Sequence, residues 1–485
     1  MAAVDICVKE SKHQAYRILI TMAPSNETTQ LSNGAPSAFG HSLYQEFPFD
    51  PNYRNFNHGS FGAWPTAIQT QLRKYQDRAV NRPDPFLRYE QPKLLDESRE
   101  AVAKVLRAPA ETVVLVPNAT AAVNTILRNL AWSPDGRDEI LHFSTIYGGC
   151  GKTIDYIVDA HQPAGLVSSR EIPLKYPFED ADAVAAFEAA VATCRAEGKR
   201  PRLCLFDTVS SLPGIRFPFE AVTESCRKHD VLSLVDGAQG VGLIDLDLTK
   251  LDPDFFLSNC HKWLFVPRGC AVLYVPVRHQ GLIRSSVPTS HGYITTQPSA
   301  NGTPRFNPLP KSKNSPFVNQ FEFTGTIDCA PYLCVADAVR WRRDVLGGED
   351  KILQYTEALA REGGKRAAAI LGTEILENST GTLGRCGMTN VALPVQIVQG
   401  GSSSSTEAGK DGAISVAEVP TVRQWILKTL MEDYNTFIPL FQGDGKIWAR
   451  MSAQVYLEEE DFDWAGRTLL EISQRIAKGE HRGSN

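Results

Sequence analysis

A chain of 485 residues with 50 Lys+Arg against 55 Asp+Glu carries a net charge of −5, and 42% of it is hydrophobic against 22% charged. Such usage excludes a disordered chain, and a mildly acidic balance with no basic block gives no footing for nucleic acid or an anionic membrane. No apolar run reaches the roughly 18 residues that cross a bilayer. Ten cysteines without a C-x-x-C pair read as packing thiols of a reducing compartment, not as a metal site. The expectation is a cytoplasmic protein that handles a small molecule.

Residues 1–45 are polar, without a sustained hydrophobic period, and read as a flexible arm in which Met22 is an alternative start. Residues 46–75 form a segment expected to join the small domain. Thr112–Val116 is the first buried strand. Pro117-Asn118-Ala119-Thr120-Ala121 closes it and opens a helix, with small residues that let backbone approach a phosphate at the helix N-terminus. Strands Glu139–Phe143, Arg202–Phe206, Val231–Val235 and Val272–Val275 follow, with helical Glu179–Glu197 and Glu220–Lys228 among them. This alternation predicts an α/β fold, a mostly parallel sheet flanked by helices, over residues 76–328. Residues 329–485 read as a smaller α+β domain: helical Pro331–Val345 and Val416–Tyr434, the strand Ile447–Ser452 and helical Asp461–Lys478. Its low-complexity stretch 400–415 reads as an inserted surface loop.

Ligands of an open parallel sheet collect at the carboxyl ends of its strands. Val231–Val235 ends in Asp236-Gly237-Ala238-Gln239, a carboxylate that is costly there unless something positive meets it. Lys262 lies between apolar Phe255–Leu257 and Trp263-Leu264-Phe265. A lysine that condenses with an aldehyde, an aspartate that keeps a pyridine nitrogen protonated and a small-residue phosphate turn together meet the needs of pyridoxal phosphate. Each alone has a plainer reading: a snorkelling lysine, a D-G turn, an ordinary N-cap.

The stretches Asn57-His58-Gly59-Ser60-Phe61-Gly62, Asp236-Gly237-Ala238-Gln239, Ser258-Asn259-Cys260-His261-Lys262-Trp263 and Arg450-Met451-Ser452 resemble fold-type I pyridoxal-phosphate enzymes. The group they resemble is the class V aminotransferases, in the isopenicillin N epimerase-like branch. From about Phe47 to Lys478 the chain looks most like the fungal hercynylcysteine sulfoxide lyases of ergothioneine biosynthesis. Arg82-Pro83-Asp84-Pro85-Phe86-Leu87-Arg88-Tyr89, Thr145-Ile146-Tyr147-Gly148 and Cys150-Gly151-Lys152-Thr153 carry that likeness. The resemblance implies pyridoxal 5'-phosphate bound through Lys262, Asp236 at its ring nitrogen and Gln239 at its ring hydroxyl. It further implies Ala119, Thr120 and His261 at its phosphate, and Arg450 on the α-carboxylate of an amino-acid substrate. Thr324-Gly325-Thr326 matches a segment lent to a neighbouring subunit, which implies a homodimer with Thr326 at the partner's phosphate. The loop Asp207-Thr208-Val209-Ser210-Ser211 departs from the usual pattern, and Ser210 is taken as its cofactor-facing residue.

The implied reaction is β-elimination of hercynylcysteine sulfoxide to ergothioneine, pyruvate and ammonia. Lys262 takes the Cα proton and Tyr147 protonates the departing sulfur. His58 and Tyr89, with Phe86, Asp84 and Phe61, are candidate contacts for a quaternary ammonium. The alternative is a related enzyme of fungal secondary metabolism: an epimerase, a cyclising enzyme or another cysteine-conjugate lyase. A cysteine desulfurase needs a mobile thiol, for which Cys386 is the candidate, with packing as its plainer role.

Overall fold

The computed structural model describes residues 38–293, 295, 306–398 and 413–483. Its centre is a seven-stranded sheet. The strands are β1 (Val113–Val116), β2 (Asp138–Phe143), β3 (Val167–Ile172), β4 (Arg200–Asp207), β5 (Leu232–Asp236), β6 (Phe255–Ser258) and β7 (Ala271–Tyr274), in the order β1-β7-β6-β5-β4-β2-β3. Pairs β6–β5, β5–β4, β4–β2 and β2–β3 are parallel, while β7 runs antiparallel to both its neighbours. The middle of the sheet is buried on both faces, and its strands there are near-continuous apolar runs such as Val113–Val116 and Leu203–Phe206, not alternating ones. Leu203, Leu205 and Leu234 feed the core under helices Ala119–Asn129 and Gly148–His161. Cys204, Phe206 and Val235 feed the opposite core under helices Asp180–Ala196 and Phe219–Lys228.

The expected strands are present within two residues of their predicted ends. β3, which the sequence reading passed over, is an edge strand whose interior (Ser-Ser-Arg-Glu) is not buried. Its polar alternation is what one solvent-facing side requires, and it lacks the apolar run that marks its neighbours.

The second unit is built on β8 (Met388–Ala392), the short parallel pair β9 (Ile397–Val398) and β10 (Ile414–Ser415), β11 (Leu440–Gly443) and β12 (Lys446–Ser452). β11, β12 and β8 form an antiparallel sheet, covered by helices Glu349–Leu371 and Glu459–Ala477. Helix Ala330–Leu346 packs on helices Thr66–Asn81 and Gln91–Val105 of the large unit. Gly347-Gly348, both at positive φ, follow that helix.

Two expected flexible segments need trimming. The arm lies mostly outside the described residues, but Leu43 is 1% exposed and Gly40 N–H donates to the Val455 carbonyl, so 38–45 are packed. The insertion 400–415 also lies largely outside them, and its end is ordered: Ile414 is buried and paired in β10. Among the described residues no helix is long and apolar enough to cross a membrane.

Candidate active site

Five strand ends open on one side of the sheet, and a cavity of about 290 Å³ sits there. Its wall includes Ala119, Thr120, Tyr147, Asp207, Asp236, Gln239, His261 and Lys262. Seven of the twelve predicted site residues thus meet in one place.

Asp236 ends β5 and is 2% exposed. Its Oδ1 accepts from the Ala238 amide at 2.8 Å and its Oδ2 from the Cys150 thiol at 3.1 Å. Burial pushes its carboxyl up. Asp207, its register partner at the end of β4, projects to the same face because side chains alternate in phase along paired strands. Burial and the charge of Asp236 raise Asp207 well above the carboxylate range, and its Oδ2 is enclosed without a hydrogen-bond partner. Lys262 lies on the one-turn helix Cys260–Trp263 that follows β6. Loss of water around its amine pushes it down to about 8, against the pull of Asp236.

At the other end of the cavity, helix Ala119–Asn129 starts under Asn118, whose side chain caps the Ala121 amide at 2.8 Å. Asn259 accepts from the Ala119 amide at 2.9 Å. His261 Nδ1–H donates to the Cys270 carbonyl at 2.8 Å, which leaves Nε2 toward the cavity, and burial lowers the ring to about 4. Tyr147, 54% exposed, stands at the mouth as N-cap of helix Gly148–His161.

These residues fit pyridoxal phosphate. A buried carboxylate pair with an orphaned oxygen suits a protonated ring nitrogen, and an enclosed amine of lowered basicity suits an aldehyde. A helix N-terminus with an exposed Thr120 and a histidine that an anion would recharge suits a phosphate. The orientation of Gln239 is set: its Oε1 accepts from Trp263 Nε1 at 2.6 Å and its Nε2 donates to the Gly59 carbonyl at 2.7 Å. One N–H of that amide is left for the cavity.

Arg450, on β12, is 2% exposed and stands behind the cavity wall. Its Nη1 donates to the Ser211 carbonyl, and its Nη2 donates to Asn57 Oδ1 at 2.6 Å and Ser60 Oγ at 2.9 Å. Its Nε has no partner, and burial brings it down to about 10. Among the described residues Arg450 is in no ion pair, and its hydrogen-bond partners are neutral oxygens.

Three expected contacts lie away from the cavity. Ser210 does not face the cavity: its hydroxyl donates to the Pro213 carbonyl at 2.5 Å, and Asp207, Val209 and Ser211 line the wall instead. His58 is 1% exposed with both ring nitrogens engaged, Nε2 with the Lys262 carbonyl at 2.8 Å and Nδ1 with Tyr456 Oη at 3.0 Å. It therefore cannot contact a substrate. Tyr89 borders a separate cleft with Arg88, Lys93 and His291. Thr326, expected at the site of a second subunit, is exposed and outside this chain's cavity. The reading also missed Asp207, although Phe206-Asp207 carries the signal that singled out Val235-Asp236. Cys386 is 1% exposed, so the packing reading holds.

The Aminotransferase class-V family model matches residues 191–387. An L-cysteine desulfhydrase-like protein of Epichloe uncinata, lolT1, is 39% identical over 450 residues, covering 91% of this chain and 97% of its own. The hercynylcysteine sulfoxide lyase of Schizosaccharomyces pombe is 28% identical over 442 residues, covering 90% and 98%. Among solved structures, the cystine C–S lyase C-DES in complex with cysteine persulfide superposes with a TM-score of 0.66 at 20% identity, over 87% of this chain and 98% of that one. Likeness of that extent, on a cavity shaped for this cofactor, makes the chain an enzyme of the class V aminotransferase family, with pyridoxal 5'-phosphate as its cofactor.

Proposed function

We propose that the enzyme is a C–S lyase, breaking the Cβ–S bond of a cysteine-derived amino acid by β-elimination. The observation that carries this reading is the placement of Tyr147, half-exposed in the wall of the cavity that Lys262 also lines, its phenol without a hydrogen bond among the described residues. A persulfide-forming mechanism lacks its nucleophile here: all nine cysteines among the described residues are buried.

Bound pyridoxal phosphate supplies an electron-withdrawing ring that stabilises negative charge at Cα. Lys262 anchors the cofactor and then holds the Cα proton on Nζ, a task for which a basicity near neutrality is suited. Asp236 faces the ring nitrogen, and a positive ring there offsets the burial that raises its carboxyl. Ala119, Thr120 and His261 hold the phosphate. Arg450 takes the α-carboxylate, the anion its pocket lacks, and so aims the Cα–H bond at Lys262. As that bond breaks, the Cα–Cβ double bond forms, the Cβ–S pair leaves on sulfur, and the Tyr147 phenol protonates it. The three-carbon remnant ends as pyruvate and ammonia.

Hercynylcysteine sulfoxide is the first substrate to try, since the resemblance in 82–89 and 145–156 points to it. A second reading, a different cysteine conjugate or L-cysteine, is favoured by the 39% identity to the desulfhydrase-like relative. Pyruvate release from hercynylcysteine sulfoxide and from L-cysteine, run side by side, decides between them. Release from neither would sink the lyase reading. Thr326 belongs, in this proposal, to the phosphate site of a second subunit, and a monomeric mass for the active holoenzyme would overturn it.

A further inference from the structure

Four consecutive residues, Asn57-His58-Gly59-Ser60, hydrogen-bond both to the Arg450 guanidinium and to the backbone of Lys262. Asn57 Oδ1 and Ser60 Oγ accept the Arg450 Nη2 hydrogens, and the Ser60 hydroxyl in turn donates to Asn57 Oδ1 at 2.6 Å. Between them, His58 Nε2–H donates to the Lys262 carbonyl, one of the free carbonyls at the end of its one-turn helix. Since that carbonyl can only accept, the ring proton is on Nε2, and Nδ1 accepts from Tyr456, whose oxygen also accepts from Asn55 at 2.9 Å. The Gly59 carbonyl holds Gln239. The segment lies against the lysine helix backbone to backbone. At Gly62, φ is +64° and a Cβ would overlap the His261 carbonyl oxygen.

The geometry of the guanidinium adds a constraint. A carboxylate grips arginine bidentately through one of two planar forks, Nε with Nη2 or Nη1 with Nη2. Both forks use Nη2, and both Nη2 hydrogens are already taken by Asn57 and Ser60. Ser60 is also the one of the two that lines the cavity. A substrate carboxylate entering from the cavity must therefore displace the Ser60 hydroxyl to close either fork.

We propose that Asn57–Ser60 is a coupling strap: the substrate carboxylate takes Arg450 from Ser60, and the released strap loosens its hold, through His58, on the backbone that carries Lys262. Ser60 and His58 are positioning residues in this scheme, one competing with the ligand and the other transmitting its arrival. The proposal rests on Arg450 being the carboxylate site.

The test uses the holoenzyme and propionate, a carboxylate without an amine, titrated by the change in cofactor absorbance. Ser60→Ala removes the competitor and is expected to tighten propionate by about three- to tenfold. A serine that merely helps to bind the ligand gives the opposite sign, so weaker or unchanged binding overturns the proposal. Hydrogen exchange followed by mass spectrometry reads the second half. Propionate should speed exchange in 57–62 and 260–264 of the natural protein, and Ser60→Ala should show that speed beforehand. His58→Gln should keep the response in 57–62 and lose it in 260–264; an unaltered response there overturns transmission through His58. Arg450→Gln separates the two levels. If it binds propionate as the natural protein does, the site reading fails and the strap with it. If it binds more weakly while Ser60→Ala does not bind more tightly, the strap alone fails.

Discussion

Lys262 and Arg450 are both cations enclosed by protein without an ion-pair partner among the described residues, yet their surroundings are opposite. Lys262 Nζ has no hydrogen bond among the described residues and its basicity falls to about 8. Arg450 is held by three neutral oxygens and still lies near 10. An amine can shed its charge when water is withheld, and here shedding it is useful, because only the neutral amine attacks an aldehyde or accepts a proton. A guanidinium cannot, so its pocket must supply oxygens until an anion arrives. The bare pocket prepares for chemistry, and the dressed one prepares for recognition.

Substitutions can break that contrast. The largest effect is expected from Lys262→Ala: turnover falls by about 10⁴-fold, and borohydride no longer fixes cofactor to the protein. Persisting borohydride fixation would remove Lys262 from its role. Arg450→Gln comes next, with kcat/KM for an amino-acid substrate lowered about 10²-fold, mostly through KM. A change confined to kcat would contradict carboxylate binding. Tyr147→Phe should slow elimination by about 10²-fold and leave cofactor absorbance and thermal stability as they were, since the ring is half-exposed. An unchanged rate returns Tyr147 to packing.

The smallest effect sharpens the lysine side. Because the folded-state value of Lys262 lies below the ordinary 10.5, its share of apoprotein stability is present above that value. It declines as pH falls and is missing below about 8. Lys262→Met should therefore stabilise the apoprotein at pH 7 by roughly 2–3 kcal/mol in a denaturant titration, and by much less near pH 10.5. An equal gain at both pH values would show that packing, not charge, was relieved.

Much of this was open to reading from sequence, for physical reasons. An ion at the end of an apolar strand is rare because it is costly, so Asp236 and Lys262 stood out. The buried strands showed as runs of Val, Leu and Phe. Other features carry no such mark. The edge strand β3 obeys a half-solvated pattern too short to separate from loop. His58 and Ser210 are near the site in space, but which way a ring or hydroxyl turns depends on Tyr456, Lys262 and Pro213, partners distant in the chain or set by loop geometry. Helix Ala330–Leu346 was expected at the right place, but helical period says nothing of which neighbours its apolar face meets, here helices Thr66–Asn81 and Gln91–Val105.

The burial of all nine described thiols has a consequence for the working life of such a catalyst. Sulfur released in the proposed reaction as a persulfide or a sulfenic acid reacts readily with accessible cysteine. The enzyme is the first protein its own product meets. Cys150, in the cavity wall, is buried and hydrogen-bonded to Asp236, and the other described thiols are buried as well, so that product meets no exposed thiol among the described residues.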